Sequence, residues 1–135
     1  MSETTVAGLP PALANVNLNP VQREAVLYEG GPQLVFAGAG TGKTRVLTAK
    51  IALLIGPKKV APHRIFAATF TNKAAREMKE RVEKLAGVTC AGLWIGTFHS
   101  LCARILRREA SKLGYEQSFT IYDRDDQTAV VRAVL

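Results

Sequence analysis

A chain of 135 residues that is 47% apolar has the size of one domain or part of one. It has no apolar run of the roughly 18 residues a membrane span needs, and Glu3 in a short polar start excludes a secretory signal. The net charge of +7 is concentrated: Lys43 to Lys112 holds 15 Lys and Arg against 4 Asp and Glu, while the rest holds 3 against 7, which makes a polyanion a candidate partner.

Met1 to Asn17 is small and polar with Pro10-Pro11 and reads as a flexible tail. Asn19 and Pro20 open a helix over Gln22 to Leu27, as N-cap and first helical residue, and Gly30-Gly31-Pro32 ends it. Leu34-Val35-Phe36 reads as a first strand and Arg45 to Ile55 as a helix stopped by Gly56-Pro57. Arg64 to Phe70 reads as a second strand. Asn72 to Ala86 is an amphipathic helix with Gly87 as its stop. Its spacing offers four i,i+4 ion pairs: Glu77/Arg81, Glu80/Lys84, Arg76/Glu80 and Lys79/Glu83. Leu93-Trp94-Ile95 is a third strand and Phe98 to Leu113 a third long helix, closed by Gly114. After an extended Phe119 to Tyr122, Asp123 or Asp125 caps a helix that runs to Leu135 with no stop signal, so the chain is expected to be the N-terminal part of something longer. Strand and helix alternate three times, which implies an α/β fold with a parallel sheet and flanking helices. Cys90 and Cys102 have no metal-ligand spacing and read as two buried thiols of a reducing cytoplasm.

The segment Ala37-Gly38-Ala39-Gly40-Thr41-Gly42-Lys43-Thr44 carries the chemistry. A Gly-rich loop between a strand and a helix start aims backbone N–H groups at an anion, and the glycines let a polyphosphate come close. Ala37 stands where the pattern usually has glycine. Lys43 can reach the β- and γ-phosphates and the Thr44 hydroxyl can ligate Mg²⁺, so both are candidate catalytic residues, with Thr44 also the metal ligand. Ala39, Gly40, Thr41 and Gly42 complete the loop. The pattern implies a nucleoside triphosphate without saying how its energy is used.

Three more segments surround this loop: Leu18 to Val26 containing Gln22, Thr69-Phe70-Thr71-Asn72-Lys73-Ala74-Ala75, and Gly96-Thr97-Phe98-His99-Ser100. Together with AGAGTGKTR they resemble the UvrD/PcrA/Rep family of superfamily-one DNA helicases, over roughly Leu18 to Gln127. The resemblance implies a P-loop (RecA-like) motor domain over 18–115, incomplete here, and the start of a helical insert domain over 116–135, after the tail of 1–17. It implies ATP and Mg²⁺ as cofactors, Gln22 as the adenine-reading side chain and Arg45 near the base. Phe70 would stack on a DNA base, with Thr71 and Asn72 beside it, and Thr97, His99 and Ser100 would touch the DNA backbone.

The same resemblance implies 3′→5′ helicase activity on single-stranded DNA and single/double-strand junctions, in the cytoplasm, with repair or replication proteins as partners. The family's metal-binding acid and second motor domain are not in this sequence, so the 135 residues alone are expected to be inactive. Asp123 follows an apolar run but reads as a cap rather than that acid. The rival readings are a small P-loop kinase and a non-catalytic module that binds nucleotide or DNA; neither accounts for Gln22 together with the Phe70 and Thr97–Ser100 segments.

Overall fold

The structure, a computed structural model, describes residues 11–135. They divide into two compact units, the first extending through Phe98 and the second covering His99–Leu135.

In the first unit the chain begins with a single helical turn, α1 (Pro11–Ala14), and then α2 (Pro20–Leu27). Asn19 caps α2 as its sequence suggests: its side chain accepts from the Gln22 N–H at 2.8 Å, and the Gln22 side chain accepts from the Asn19 N–H at 3.0 Å. At the other end of α2 the Lys50 ammonium donates to the Val26 carbonyl at 2.8 Å and to that of Tyr28, placing a cation where the helix dipole is negative. Burial there holds the Lys50 amine below the ordinary lysine value. The next helix, α3 (Lys43–Ile55), starts at Gly42. Its buried Thr48 satisfies its hydroxyl within the helix, donating to the carbonyls of Thr44 at 2.9 Å and Arg45 at 3.0 Å.

A short 3₁₀ turn (Pro62–Arg64) leads into β1 (Phe66–Thr69), then α4 (Asn72–Ala86), then β2 (Trp94–Thr97). The two strands pair in parallel, Phe66 opposite Trp94 through Thr69 opposite Thr97. One face of this pair, through Ala67 and Ile95, joins a core with Ile51 and Ile55 of α3 and Met78 and Val82 of α4. Phe66 and Trp94 lie on the other face with ring centroids 6.5 Å apart. The opposite side of α3, through Ala49, Ala52 and Leu53, builds a second cluster with Leu13, Leu18 and Val26. So α3 is the wall shared by both cores.

Several expectations need correction. Leu34-Val35-Phe36 is not a strand: among the described residues the sheet has two strands, and Leu34 and Phe36 are exposed. A strand exists only where a neighbour supplies ladder hydrogen bonds, and no described segment pairs with this run. The tail expected over 1–17 lies partly among the described residues. Leu13 is 1% exposed and Val16 packs against the same cluster, where α1 meets α3 and α4; residues 1–10 lie outside the described residues. The cap of α4 is Thr71 rather than Asn72, with extended φ −127° and ψ 149° and its hydroxyl accepting from the Ala74 N–H at 3.1 Å. Of the four i,i+4 pairs on α4, the one formed is Arg81–Glu77, at a loose 3.7 Å. Cys90 is buried, and burial pushes its thiol up, but Cys102 is exposed. Cys102 follows the buried Leu101 on a helix, and one residue on turns a side chain about 100° away.

The second unit contains most of α5 (Phe98–Glu109), a 3₁₀ turn over Ala110–Leu113 and α6 (Arg124–Val134). Gly114, at φ +76°, ends the turn in the left-handed conformation its sequence position suggests. Arg107 lies over the Phe119 ring at 5.5 Å. Asp123 caps α6, its Oδ1 accepting from the N–H groups of Asp125 and Asp126, both at 2.9 Å. Among the described residues no helix is long and apolar enough to cross a membrane.

Candidate functional site

The loop ahead of α3 is shaped by two left-handed glycines, Gly40 at φ +74° and Gly42 at φ +88°. Thr41, between them, turns its hydroxyl inward to the Gly38 carbonyl at 2.7 Å. Lys43 arches back over the loop, its ammonium donating to the carbonyls of Ala37 at 3.1 Å and Gly38 at 2.6 Å. The first-turn N–H groups of α3 have no intrahelical acceptor and carry the positive end of the helix dipole. The Lys43 side chain and these donors thus both belong to the start of α3. The Thr44 hydroxyl is exposed on the same first turn.

Gln22 comes to this loop from α2. Its Nε2 donates to the Thr41 carbonyl at 2.8 Å while its Oε1 accepts from the Asn19 N–H. Both ends of the carboxamide are thereby fixed in polarity, and each keeps capacity for one more bond: a second N–H on Nε2 and a second lone pair on Oε1. That pairing of donor and acceptor matches the N6/N7 edge of adenine. A recess of about 270 Å³ opens here, lined by Gln22, Phe36, Gly38, Thr41 and Lys43 among others. A Cβ at Gly42 would lie 2.9 Å from Gln22 Nε2, so a side chain there would displace that amide.

Arg45 points elsewhere. Its Nη1 donates to the Asn17 carbonyl at 3.1 Å, and it lines a different recess, of about 480 Å³, with Arg81 and Lys84. For Mg²⁺ the chain offers the Thr44 hydroxyl; no group of three His, Cys, Asp or Glu side chains suited to a metal occurs among the described residues. That donor set fits an ion held mainly by phosphate oxygens and water, as Mg²⁺ commonly is. Asp123, engaged as a cap, is not part of the loop.

Phe70 is the residue directly after β1 and is 92% exposed, so it is not a core side chain. Thr69 Oγ1 donates to the carbonyls of Thr71 at 3.1 Å and Gly96 at 3.3 Å, which ties the ends of the two strands together beneath it. Thr71 is occupied as the cap of α4, and Asn72 follows it, exposed, in the first turn. Thr97 ends β2. In the second unit His99 and Ser100 lie exposed in the first turn of α5.

One residue has no assignment from the motifs. Phe98 follows Thr97 as Phe70 follows Thr69, and the parallel register places those threonines opposite each other. Phe98 is half exposed, with its ring centroid 6.0 Å from that of Phe70 and tilted by 53°. The repeated Thr-Phe at two strand ends was the available signal.

The sequence pattern of the family described as "UvrD/REP helicase N-terminal domain" matches residues 18–135. Among curated relatives, the chain is 57% identical over 118 residues to a protein of Bacillus subtilis named ATP-dependent DNA helicase PcrA, covering 87% of this chain and 16% of that protein. It is 56% identical over 124 residues to a protein of the same name from Staphylococcus aureus strain Mu50, covering 92% and 17%. A Staphylococcus epidermidis relative, again of that name, is 56% identical over 119 residues, covering 88% and 16%. The chain thus spans about one sixth of the length of these relatives. With a pattern match over all but the first 17 residues, the chain belongs to the UvrD/REP helicase N-terminal domain family.

Proposed function

We propose that this chain is the ATP-binding and single-stranded-DNA-gripping N-terminal portion of a cytoplasmic, ATP-dependent 3′→5′ DNA helicase, built on the P-loop (RecA-like) plan. The observation that carries the reading is the joining of Gln22 to the phosphate loop through Thr41, with Lys43 poised over the same opening. A base-reading amide and a phosphate-reading loop then form one unit. An incoming triphosphate draws Lys43 off the Ala37 and Gly38 carbonyls, since a charge-assisted contact to phosphate outweighs two neutral acceptors. Gln22 presents its remaining donor and acceptor to the base. Mg²⁺, held by Thr44 and phosphate oxygens, would supply charge neutralisation. Arg45, although directed to Asn17, lies two residues from Lys43 and contributes positive potential to the same helix start.

For the nucleic acid, Phe70 offers an exposed ring and Thr71, Asn72 and Thr97 offer short polar groups at the ends of β1 and β2. His99 and Ser100 offer donors at the start of α5. Base stacking on an aromatic is tolerant of sequence, which suits a protein that moves along a strand. Strand separation at single/double-strand junctions, and dealings with repair or replication proteins, are extended to this chain from the helicase name its full-length relatives carry, as part of the proposal.

The reading is tested with the purified chain and its Lys43→Ala variant. ATP should bind the parent and bind the variant more weakly, while a labelled oligo-dT binds both alike. Phosphate release should stay at background in both, because hydrolysis also needs a metal-holding acid, a water-orienting group and an arginine that is worth about 10³–10⁵ in rate. Equal ATP affinity in parent and variant would remove the loop assignment.

A further inference from the structure

Asn19 has so far only started α2, yet it lines the recess beside the Gly-rich loop and is bonded to Gln22 twice. Its extended backbone, φ −70° and ψ 168°, points the Asn19 N–H at Gln22 Oε1, 3.0 Å away. Its own Oδ1 accepts from the Gln22 N–H at 2.8 Å. The two bonds support each other: without the Oδ1 acceptor, the Asn19 backbone loses what holds it extended, and its N–H loses its aim at Oε1. Packing does not replace them. Leu18 and Val26 are buried and seat α2 against α3, whereas Asn19 is exposed and Gln22 half-buried.

The two ends of the Gln22 amide are held differently. Nε2 is bonded to the Thr41 carbonyl, which lies between the left-handed Gly40 and Gly42 in the loop itself. Oε1 is bonded to Asn19, three residues away on the same helix start, and that is the fixed end. An amide held this way presents an acceptor and a donor in a set order. Adenine answers with the N6 donor and the N7 acceptor. Guanine offers two acceptors, O6 and N7, so Oε1 meets O6 with no hydrogen between them. A held amide cannot turn away from O6; a loose one can.

We infer that Asn19 is a positioning residue for base selection: the capping box of α2 holds the Gln22 carboxamide in the orientation that admits adenine and rejects guanine. The inference rests on the reading of Gln22 as the side chain that meets the base.

The test displaces mant-ATP from the whole chain with ATP, GTP and tripolyphosphate, in the parent, Asn19→Ala, Asn19→Ser, Gln22→Ala and the Asn19→Ala/Gln22→Ala pair. Asn19→Ala should lower the ratio of ATP to GTP affinity by about fivefold, the worth of one hydrogen bond, and leave tripolyphosphate affinity at the parent's value. Asn19→Ser keeps a capping oxygen and should restore the ratio. On the Gln22→Ala background, Asn19→Ala should change the ratio no further. A second measurement needs no nucleotide: the ¹H–¹⁵N NOE of the Gln22 side-chain amide should fall in Asn19→Ala and recover in Asn19→Ser. The inference is overturned if Asn19→Ala keeps the parent's ratio while Gln22→Ala loses it. It is overturned equally if Asn19→Ser behaves as the alanine variant does, which would make the Asn19 amide a direct contact to the base, or if the pair falls below Gln22→Ala alone. An unchanged ratio in Gln22→Ala would remove the base reading of Gln22 itself, and the inference with it.

Discussion

Replacing Gly42 by alanine probes the joint between Gln22 and the Gly-rich loop directly. Two costs separate cleanly. The first is conformational: Gly42 sits at φ +88°, and an L-residue in that region costs about 1–2 kcal/mol. The second is steric and local: the new Cβ would lie 2.9 Å from Gln22 Nε2, so the amide must withdraw and lose its 2.8 Å bond to the Thr41 carbonyl. That loss adds about 1 kcal/mol. Gly87 supplies the comparison, because it is also left-handed, at φ +65°, with nothing within 4 Å of the place a Cβ would take. Gly87→Ala should therefore show the first cost alone. In thermal or urea unfolding, Gly42→Ala should be destabilised by about 1 kcal/mol more than Gly87→Ala, about 4 °C in a chain of this size. Placed on a Gln22→Ala background, Gly42→Ala should fall back to the Gly87→Ala cost. If the two alanine variants lose the same stability in the parent, or if Gln22→Ala changes nothing in the cycle, the joint between Gln22 and Thr41 contributes nothing.

Three further outcomes are expected. Gln22→Ala should lower the preference for ATP over GTP in a competition titration more than it lowers affinity for tripolyphosphate; an unchanged ratio would return Gln22 to a capping role alone. Phe70→Ala should weaken oligo-dT binding by about 1–3 kcal/mol, and Phe98→Ala should weaken it less and non-additively with Phe70→Ala, since the two rings touch. Strict additivity by fluorescence anisotropy would show that Phe98 does not steady the Phe70 ring. In the folded chain at neutral pH, iodoacetamide should label Cys102 first, because Cys90 is buried with its thiol pushed up and thus carries less reactive thiolate; mass spectrometry showing equal labelling would contradict that burial.

Elements whose signals are local were legible in the amino-acid sequence. Asn19-Pro20 starts α2, Gly87 stops α4, Gly114 ends the turn after α5 and Asp123 caps α6, because each acts within four residues of itself. Features that depend on a partner were not legible. Leu34-Val35-Phe36 has strand composition, but composition does not supply a neighbour for its N–H and C=O groups. Thr71 and Asn72 are both good caps, and only the backbone angles decide between them. At the candidate site, the loop was readable as a pattern, whereas the meeting of Gln22 with Thr41, 19 residues apart, is a product of packing between α2 and α3. Phe98 went unread for a related reason: an aromatic inside a helix start reads as core until the strand register sets it beside Phe70.

The position of α3 between the two apolar clusters has a mechanical consequence. A helix packed through Ile51 and Ile55 against Met78 and Val82 on one side, and through Ala49, Ala52 and Leu53 against Leu13, Leu18 and Val26 on the other, behaves as a stiff post. Sliding it to suit a bound molecule would tear contacts on both flanks at once. Any change of shape at the loop must then be absorbed ahead of the post, at the swivels Gly40 and Gly42 and in the swing of the Lys43 arm. Movement is also communicated sideways, into α2 through the Gln22 tether, while the post itself stands still.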